Sequence, residues 1–364
     1  MTEEPVDGGT RAEEPQAAPE DYELPPSPPP EPVQPRRVRR FRLAAWIALV
    51  LATVVVGASI IWVNGPPTEA ELREQAGLFR KERLRIGVKP DTPYISIRKA
   101  GGGFEGFDIE IAYLIAADLG YPPDKVDFLE IKTEDRARMQ ATDDRGGYVK
   151  VDLVVATFSV TREREEELGV GFSTPYLFTE QSVITRKDHR EVTSLGDLKG
   201  EEVCTLGTST SEGELRKAID PSPEARRPTV KNLISDCVTG LKKHTFDAVT
   251  TDAAILAGFV KDSNGALIHH DIALEKTEMW AVNAGSNTAL RTLVDLALYR
   301  SYADPQDRRW EQAYARYIKP LLSDDNGKAG GVNVAQAEQP CAPPPPVRRW
   351  PWERALPFQE CSAR

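Results

Sequence analysis

The chain has 364 residues, a net charge of −10 and 40 % hydrophobic residues. That length suggests two domains with enough apolar surface for a sizeable core. Acidity with only one short basic cluster argues against nucleic acid as a partner, and 29 prolines and 26 glycines point to irregular ends.

Residues 1–35 are rich in Pro and Glu and are expected to be disordered. The basic cluster Arg36-Arg37-Val38-Arg39-Arg40-Phe41-Arg42 closes this segment, 1–42. Residues 43–63 are uncharged and apolar, with Trp46 and Trp62 near the two ends. As a helix, such a run is about 30 Å long and matches a bilayer core. The arginines on its N-terminal side place that end in the cytoplasm. The reading is a single-pass cell-membrane protein with residues 64–364 extracytoplasmic. The rival is a cleaved signal peptide, with Gly57-Ala58-Ser59 near the cut. No Cys lies near the run to carry a lipid anchor. Residues 64–83 read as a stalk with a helical turn in 69–79.

Residues 84–88 read as a strand. Residues 108–119 read as a helix with Ile111, Leu114, Ile115 and Leu119 on one face and Gly120 as its stop. A strand over 126–132, a short helix over 133–141 and a continuous apolar strand over 151–157 follow. This alternation implies a mainly parallel sheet with helices on both sides. Residues 181–186 lead out of this lobe. Strands over 202–206, 229–233 and 246–250 then alternate with helices over 211–219, 235–242 and 252–260. The chain crosses back near 278–282, and helices over 287–302 and 304–317 pack on the first lobe. The fold class is therefore α/β, with lobe 1 at 84–181 plus 283–322 and lobe 2 at 182–282, joined by two hinge crossings. Residues 323–364 form a Pro-rich tail expected to hold little fixed structure, although Trp350 and Trp352 are unusual there.

An even set of cysteines outside the cytoplasm reads as disulfides more readily than as metal ligands. A Cys204–Cys237 bridge would contribute about 3–4 kcal/mol; the alternative is two buried thiols. The sequence leaves a Cys341–Cys361 pairing open. No zinc-ligand spacing is present, and the histidines, including His269-His270, read as surface or loop residues. No cofactor or metal is expected.

Ligands of open α/β sheets bind beyond the carboxyl ends of the strands, and four such places carry unusual polar sets. In Thr157-Phe158-Ser159-Val160-Thr161-Arg162-Glu163-Arg164, Thr161 suits a helix N-cap. Arg164 then sits where the positive helix end disfavours a cation, unless it grips an anion through paired hydrogen bonds; the plain alternative is a solvated ion pair with a neighbouring Glu. Thr133-Glu134-Asp135-Arg136 repeats the pattern, with Lys89 after the first strand as a second cation. Gly207-Thr208-Ser209-Thr210-Ser211 leads into a helix and offers N–H and hydroxyl donors, with Ser211 and Glu214 as a candidate capping box. Asp252 opens a helix, where simple capping is the plain reading. Tyr94 and Phe107 line the ligand pocket or the core equally well.

The run Gly106-Phe107-Asp108-Ile109-Glu110-Ile111, followed by an amphipathic helix and lying between two strands, resembles the signature of the family 3 extracellular solute-binding proteins, the amino-acid receptors of ABC importers. Leu198-Lys199-Gly200, Cys204, Ser235-Asp236-Cys237 and Phe246 through Asp252 resemble the glutamate-binding branch of actinobacteria, including its lobe-2 disulfide. The resemblance covers residues 84–322. It implies a periplasmic-binding-protein-like fold of type II. It also implies that Arg164 holds a ligand α-carboxylate, helped by Ser159 and Thr157, and that Asp252 accepts the α-ammonium. Arg136, with Lys89 as an alternative, would meet a side-chain carboxylate, and Thr208, Ser209 and Thr210 would donate from lobe 2. The membrane run, an insertion near 142–150 and the tails depart from the branch and put transport in doubt more than binding.

The expectation is a binding protein for glutamate or aspartate, with glutamine or asparagine next, and no enzymatic activity. An ABC permease or a membrane signalling partner would receive the ligand. The competing classes are a dehydratase on the same fold, using Glu180 or Glu212 as general acid, and an envelope protein with a degenerate cleft.

Overall fold

The computed structural model describes residues 36–219, 228–272, 274, 276–322, 332–349, 356 and 361. Residues 1–35, Gly330, Gly331, Trp350 and Trp352 lie outside the described residues. The chain divides into two units at Gly65/Pro66.

The first unit is one helix, Arg36–Asn64, which takes in the basic cluster as well as the apolar run. Its Arg39–Ser59 stretch has 21 residues and a mean hydropathy of 2.1. It is long and apolar enough to cross a membrane, and Leu49, Val54 and Val55 are exposed along it.

The second unit is built on a sheet of eleven strands among the described residues. Their order is Thr229–Lys231, Val203–Leu206, Ala248–Asp252, Phe172–Arg186, Thr277–Asn283, Leu153–Val154, Leu84–Val88, Val126–Glu130, Gln140–Thr142 and Tyr148–Lys150. Leu267–His270 pairs with Phe172–Arg186 to one side of this path. Leu84–Val88 runs parallel to its neighbours on both sides, Leu84 opposite Val126 and Ile86 opposite Leu153. Val203–Leu206 is likewise parallel to Thr229–Lys231 and to Ala248–Asp252. The two parallel halves are joined by Phe172–Arg186 and the returning strand Thr277–Asn283, which lie antiparallel, Met279 opposite Phe178. Both connections between the halves are therefore strands paired with each other, with register shifts around Ala281.

The fingerprint helix is Phe107–Asp118. Gly106 precedes it at φ +130°, and a Cβ there would stand 2.3 Å from the Ile95 carbonyl oxygen, so only glycine fits. Phe107 is core: its ring packs against Tyr176 and edge-on to Trp310.

Several expectations are corrected. The 133–141 segment is a single 3-10 turn, Thr133–Asp135, followed by a strand that pairs with Tyr148–Lys150, so the insertion is an edge hairpin. The presumed stalk is not a spacer. Thr68 and Glu71 form a capping box on the helix Glu69–Gln75, Leu72, Ala76 and Leu78 are buried in the core, and Arg73 donates to the carbonyls of Asp118 and Leu119. His269 and His270 are strand residues, not loop: their Nε2 atoms lie 2.7 Å from Ser182 Oγ and Thr185 Oγ1, and burial pushes His269 down to about 3, so it stays neutral.

The tail is corrected as well. Residues 332–349 are packed, with Val334, Ala335 and Ala342 buried. Thr179 Oγ1 donates to the Val334 carbonyl (2.6 Å), and the Gln336 N–H donates to that of Phe178 (3.0 Å), on the strand that crosses between the halves. The Arg348 N–H donates to the Pro67 carbonyl, 2.9 Å, and Cys341 is bridged to Cys361. Proline-rich composition removes helix and ladder donors but leaves carbonyls and apolar rings that can dock in extended form.

Cys204, on a strand, and Cys237, in the helix Ile234–Lys242, are both buried and bridged, with Cα atoms 5.5 Å apart. Removing both sulfurs (Cys204→Ser with Cys237→Ser) is expected to lower unfolding stability by about 3–4 kcal/mol in urea titrations.

Asp108, the acid of the fingerprint, is fully buried. It accepts the Tyr176 hydroxyl at 2.9 Å and the Thr157 N–H at 3.0 Å, so the helix, the strand Phe172–Arg186 and the segment that follows Leu153–Val154 meet on one carboxyl group. Burial pushes it up from 3.8 to about 7. Between those values the folded chain holds a proton the unfolded chain has lost, so stability falls as pH rises from about 4 through 7. The urea midpoint should decline over that range, and Asp108→Asn should flatten the decline; an unchanged slope would count against the assignment.

Candidate functional site

The strand ends around Thr157, Leu206 and Asp252 converge on one narrow gap. It is lined by Arg136, Thr157, Ser159, Arg164, Leu206, Ser209, Thr210, Thr251, Asp252 and Ile255. Seven of the nine residues singled out as ligand-binding are in this lining. Thr208 sits at its rim and Lys89 outside it.

Phe158 is the floor for both cations. The guanidinium carbons of Arg136 and Arg164 lie 4.6 and 4.9 Å from its ring centroid, and Phe172 packs on it edge-on. A ring quadrupole holds a desolvated cation well. Arg136 donates Nε to the Thr133 carbonyl and Nη1 to the carbonyls of Ala156 and Thr157. Burial, then the charge of Arg164, push it down to about 9, so it remains cationic at neutral pH. Thr157 is held at φ +47°, which turns its carbonyl toward Arg136 while its N–H meets Asp108.

Arg164 stands in the first turn of the short helix Arg162–Glu165, capped by Thr161 as its sequence suggests. Nη1 donates to the Ser159 carbonyl at 2.7 Å. Nη2 reaches across the gap to the carbonyl of Thr208 at 2.9 Å. Burial lowers its pKa, and Glu278 and Asp252 act in the opposite direction. On the facing side, Thr208 at φ +59° and Ser209 start the helix Thr210–Ile219. Its cap is formed by Ser209 and Glu212 rather than by Ser211 and Glu214: Ser209 Oγ accepts from the Glu212 N–H, and Glu212 accepts from the Thr208 N–H.

Asp252 precedes the helix Ala253–Lys261 but makes no side-chain cap bond to it. Its carboxyl group turns into the gap, where Oδ2 accepts the Trp280 indole N–H at 2.6 Å and Oδ1 lies 3.5 Å from the Ser211 hydroxyl. Burial, then the charge of Glu278, push it up to about 7. Glu278 is buried on the returning strand and accepts the Thr210 hydroxyl at 3.1 Å. The sequence alone does not single out Glu278 or Trp280 as site residues. The available signal was period two: both are buried while Met279 between them is exposed, which puts a carboxylate in phase with a core tryptophan.

Lys89 lies apart from the lining. It donates to Thr133 Oγ1 at 3.0 Å and toward the Asn232 carbonyl at 3.4 Å, and burial pushes it down to about 8. Tyr94 donates to Asp262 at 3.3 Å. A wider cavity of about 250 Å³ is bordered by Leu78, Lys81, Met139, Lys150 and Asn287. Its cations are engaged, Lys81 with Asp152 and Lys150 with the Arg138 carbonyl. The narrow gap is where buried charge of both signs converges. It holds about 10 Å³, room for about one water, so anything larger requires its two sides to part.

Residues 84–320 match the model of the bacterial extracellular solute-binding proteins, family 3. Among individual relatives, the chain is similar to the ABC transporter glutamine-binding protein GlnH of Bacillus subtilis, 29 % identical over 279 residues, covering 76 % of this chain and 96 % of that one. It is similar to the glutamate-binding protein GluB of Corynebacterium efficiens, 26 % identical over 252 residues, covering 67 % and 80 %. Among solved structures, an ancestral arginine-binding protein bound to glutamine superposes with a TM-score of 0.56 at 26 % identity, covering 65 % of this chain and 98 % of that one. With the family model spanning well over half of its length and the type II binding-protein fold present, this chain belongs to the bacterial extracellular solute-binding proteins, family 3.

Proposed function

We propose that the chain is a membrane-anchored, extracytoplasmic receptor for a small α-amino acid, glutamate or aspartate first and their amides next. It closes by hinge motion and serves ABC import or nutrient sensing. The observation that carries this reading is the placement of Arg164 and Asp252, opposite in charge, on one narrow gap. A guanidinium at one pole and a carboxylate at the other orient a zwitterion, and burial strengthens both charge-assisted bonds. The hinge would be the paired strands Phe172–Arg186 and Thr277–Asn283, with the lobes at 84–181 plus 283–322 and at 182–282. Arg136 extends positive charge beyond Arg164 and suits a second carboxylate, which favours the acidic ligands. The helix Arg36–Asn64 would be the anchor, with its arginine end in the cytoplasm. Of the two candidate acids of a dehydratase, Glu212 is engaged with the Thr208 N–H and with Arg216 and Glu180 accepts from the Asn333 side-chain amide, which disfavours that class.

A thermal-shift screen of the full chain in detergent against the amino acids tests the reading. A ligand at a hundred times its dissociation constant should add about 2.7 kcal/mol. Arg164→Ala should abolish the shift for every ligand. Arg136→Ala should abolish it for acidic ligands only, and equal loss for neutral ones refutes the distal-carboxylate role. Because Asp252 must be ionised to accept an ammonium group and is pushed up to about 7, affinity should rise between pH 6 and 8; isothermal titration at fixed ionic strength checks the sign.

A further inference from the structure

An aspartate in extended conformation immediately before a helix ordinarily turns its carboxylate onto the helix N–H groups. Asp252 has that backbone conformation, φ −61° and ψ 137°, yet makes no cap bond to the helix Ala253–Lys261. Its competing partner is the Trp280 indole N–H at 2.6 Å, and Trp280 is fully buried on the returning strand. The backbone of Trp280 is itself fixed: Met279 accepts the Val160 N–H, Ala281 donates to the Phe158 carbonyl, and Ser159 bridges to Trp280. The same short segment thus carries the Phe158 platform of Arg164 and braces the donor that aims Asp252.

We infer that Trp280 is a positioning residue that sets ligand class, drawing Asp252 off its helix and into the cleft so that Oδ1 faces an incoming ammonium group. This rests on the amino-acid reading above and names the residue that selects the amino group. Among the described residues, Trp280 satisfies one carboxylate oxygen and leaves the other with only the distant Ser211 hydroxyl. The site therefore asks for one cationic donor at that end. A dicarboxylate of the same length without the amino group brings no cation to Asp252, which stays beside Glu278 with only the Trp280 N–H, the distant Ser211 hydroxyl and the charges of Arg136 and Arg164 to offset its burial. Without the indole N–H, Asp252 is free to rotate onto the helix start, and the cleft loses its preference for the amino group while Arg164 and Arg136 keep their carbonyl contacts.

The test uses the full chain in detergent and compares L-glutamate with glutarate, and L-glutamine with glutaramate, by titration and thermal shift. Trp280→Phe keeps most of the ring and removes the donor. It should weaken the amino acids by about tenfold or more, one hydrogen bond to a charged group, and leave the deamino analogues within about twofold. Trp280→His, which restores a ring N–H, should recover part of the loss. Equal weakening of both ligand classes, or no weakening of either, overturns the inference. An unaltered protein that binds neither amino acid overturns the receptor reading instead, and this inference with it. Should Trp280→Phe fail to fold, indole resonances of the unaltered ¹⁵N-tryptophan-labelled chain decide. One of them should titrate near neutral pH and stop doing so in Asp252→Asn; its absence overturns the inference.

Discussion

One buried carboxyl group organises the functional face of this protein. Asp108 accepts a hydroxyl from Tyr176 on the crossing strand and an N–H from Thr157 at the end of a central strand. Thr157 is thereby held at positive φ, and its carbonyl becomes available to Arg136. Arg136 and Arg164 then share the ring of Phe158. A group with so few alternatives in an apolar setting must keep its partners, so the fingerprint helix, the segment around Thr157 and both cations are linked through one chain of contacts.

The cleft is a set of charges compensated chiefly by its own walls. Arg164 is bonded to carbonyls on both sides of the gap, Asp252 to an indole, and Glu278 to a threonine hydroxyl. On the receptor reading proposed above, the bonds that span the gap are the ones a ligand's two poles would replace. In that reading the paired strands Phe172–Arg186 and Thr277–Asn283 would supply the flexure. The C-terminal segment is bonded to Phe172–Arg186, Val334 to Thr179 and Gln336 to Phe178.

Much of the fold was legible because its signals are local. The strand Leu84–Val88, the helix Phe107–Asp118 and the alternation around Val203–Leu206 and Ile234–Lys242 follow from apolar periodicity and from glycine stops. The elements that were misread lack a local signal. Residues 133–141 contain polar groups compatible with a helix but are drawn into a turn and an edge strand by the neighbouring hairpin. His269 and His270 look like loop residues until two hydroxyls of Phe172–Arg186 pair with their rings. The tail reads as irregular because proline forbids ladders, yet docking in extended form needs none.

The same division holds at the site. Residue order alone pointed to the α/β class, to Arg136, Arg164 and Asp252 as charged groups at strand ends, and to a Cys204–Cys237 bridge as the readier of two readings, since charge placement and cysteine placement are properties of the chain. Tertiary structure decided what those groups do. It turned Asp252 from a helix cap into a cleft carboxylate, it moved Lys89 out of the lining, and it added Glu278 and Trp280 from a strand some 25 residues farther on. Orientation of a side chain is a competition among partners, and partners distant in sequence enter that competition only when the chain is folded.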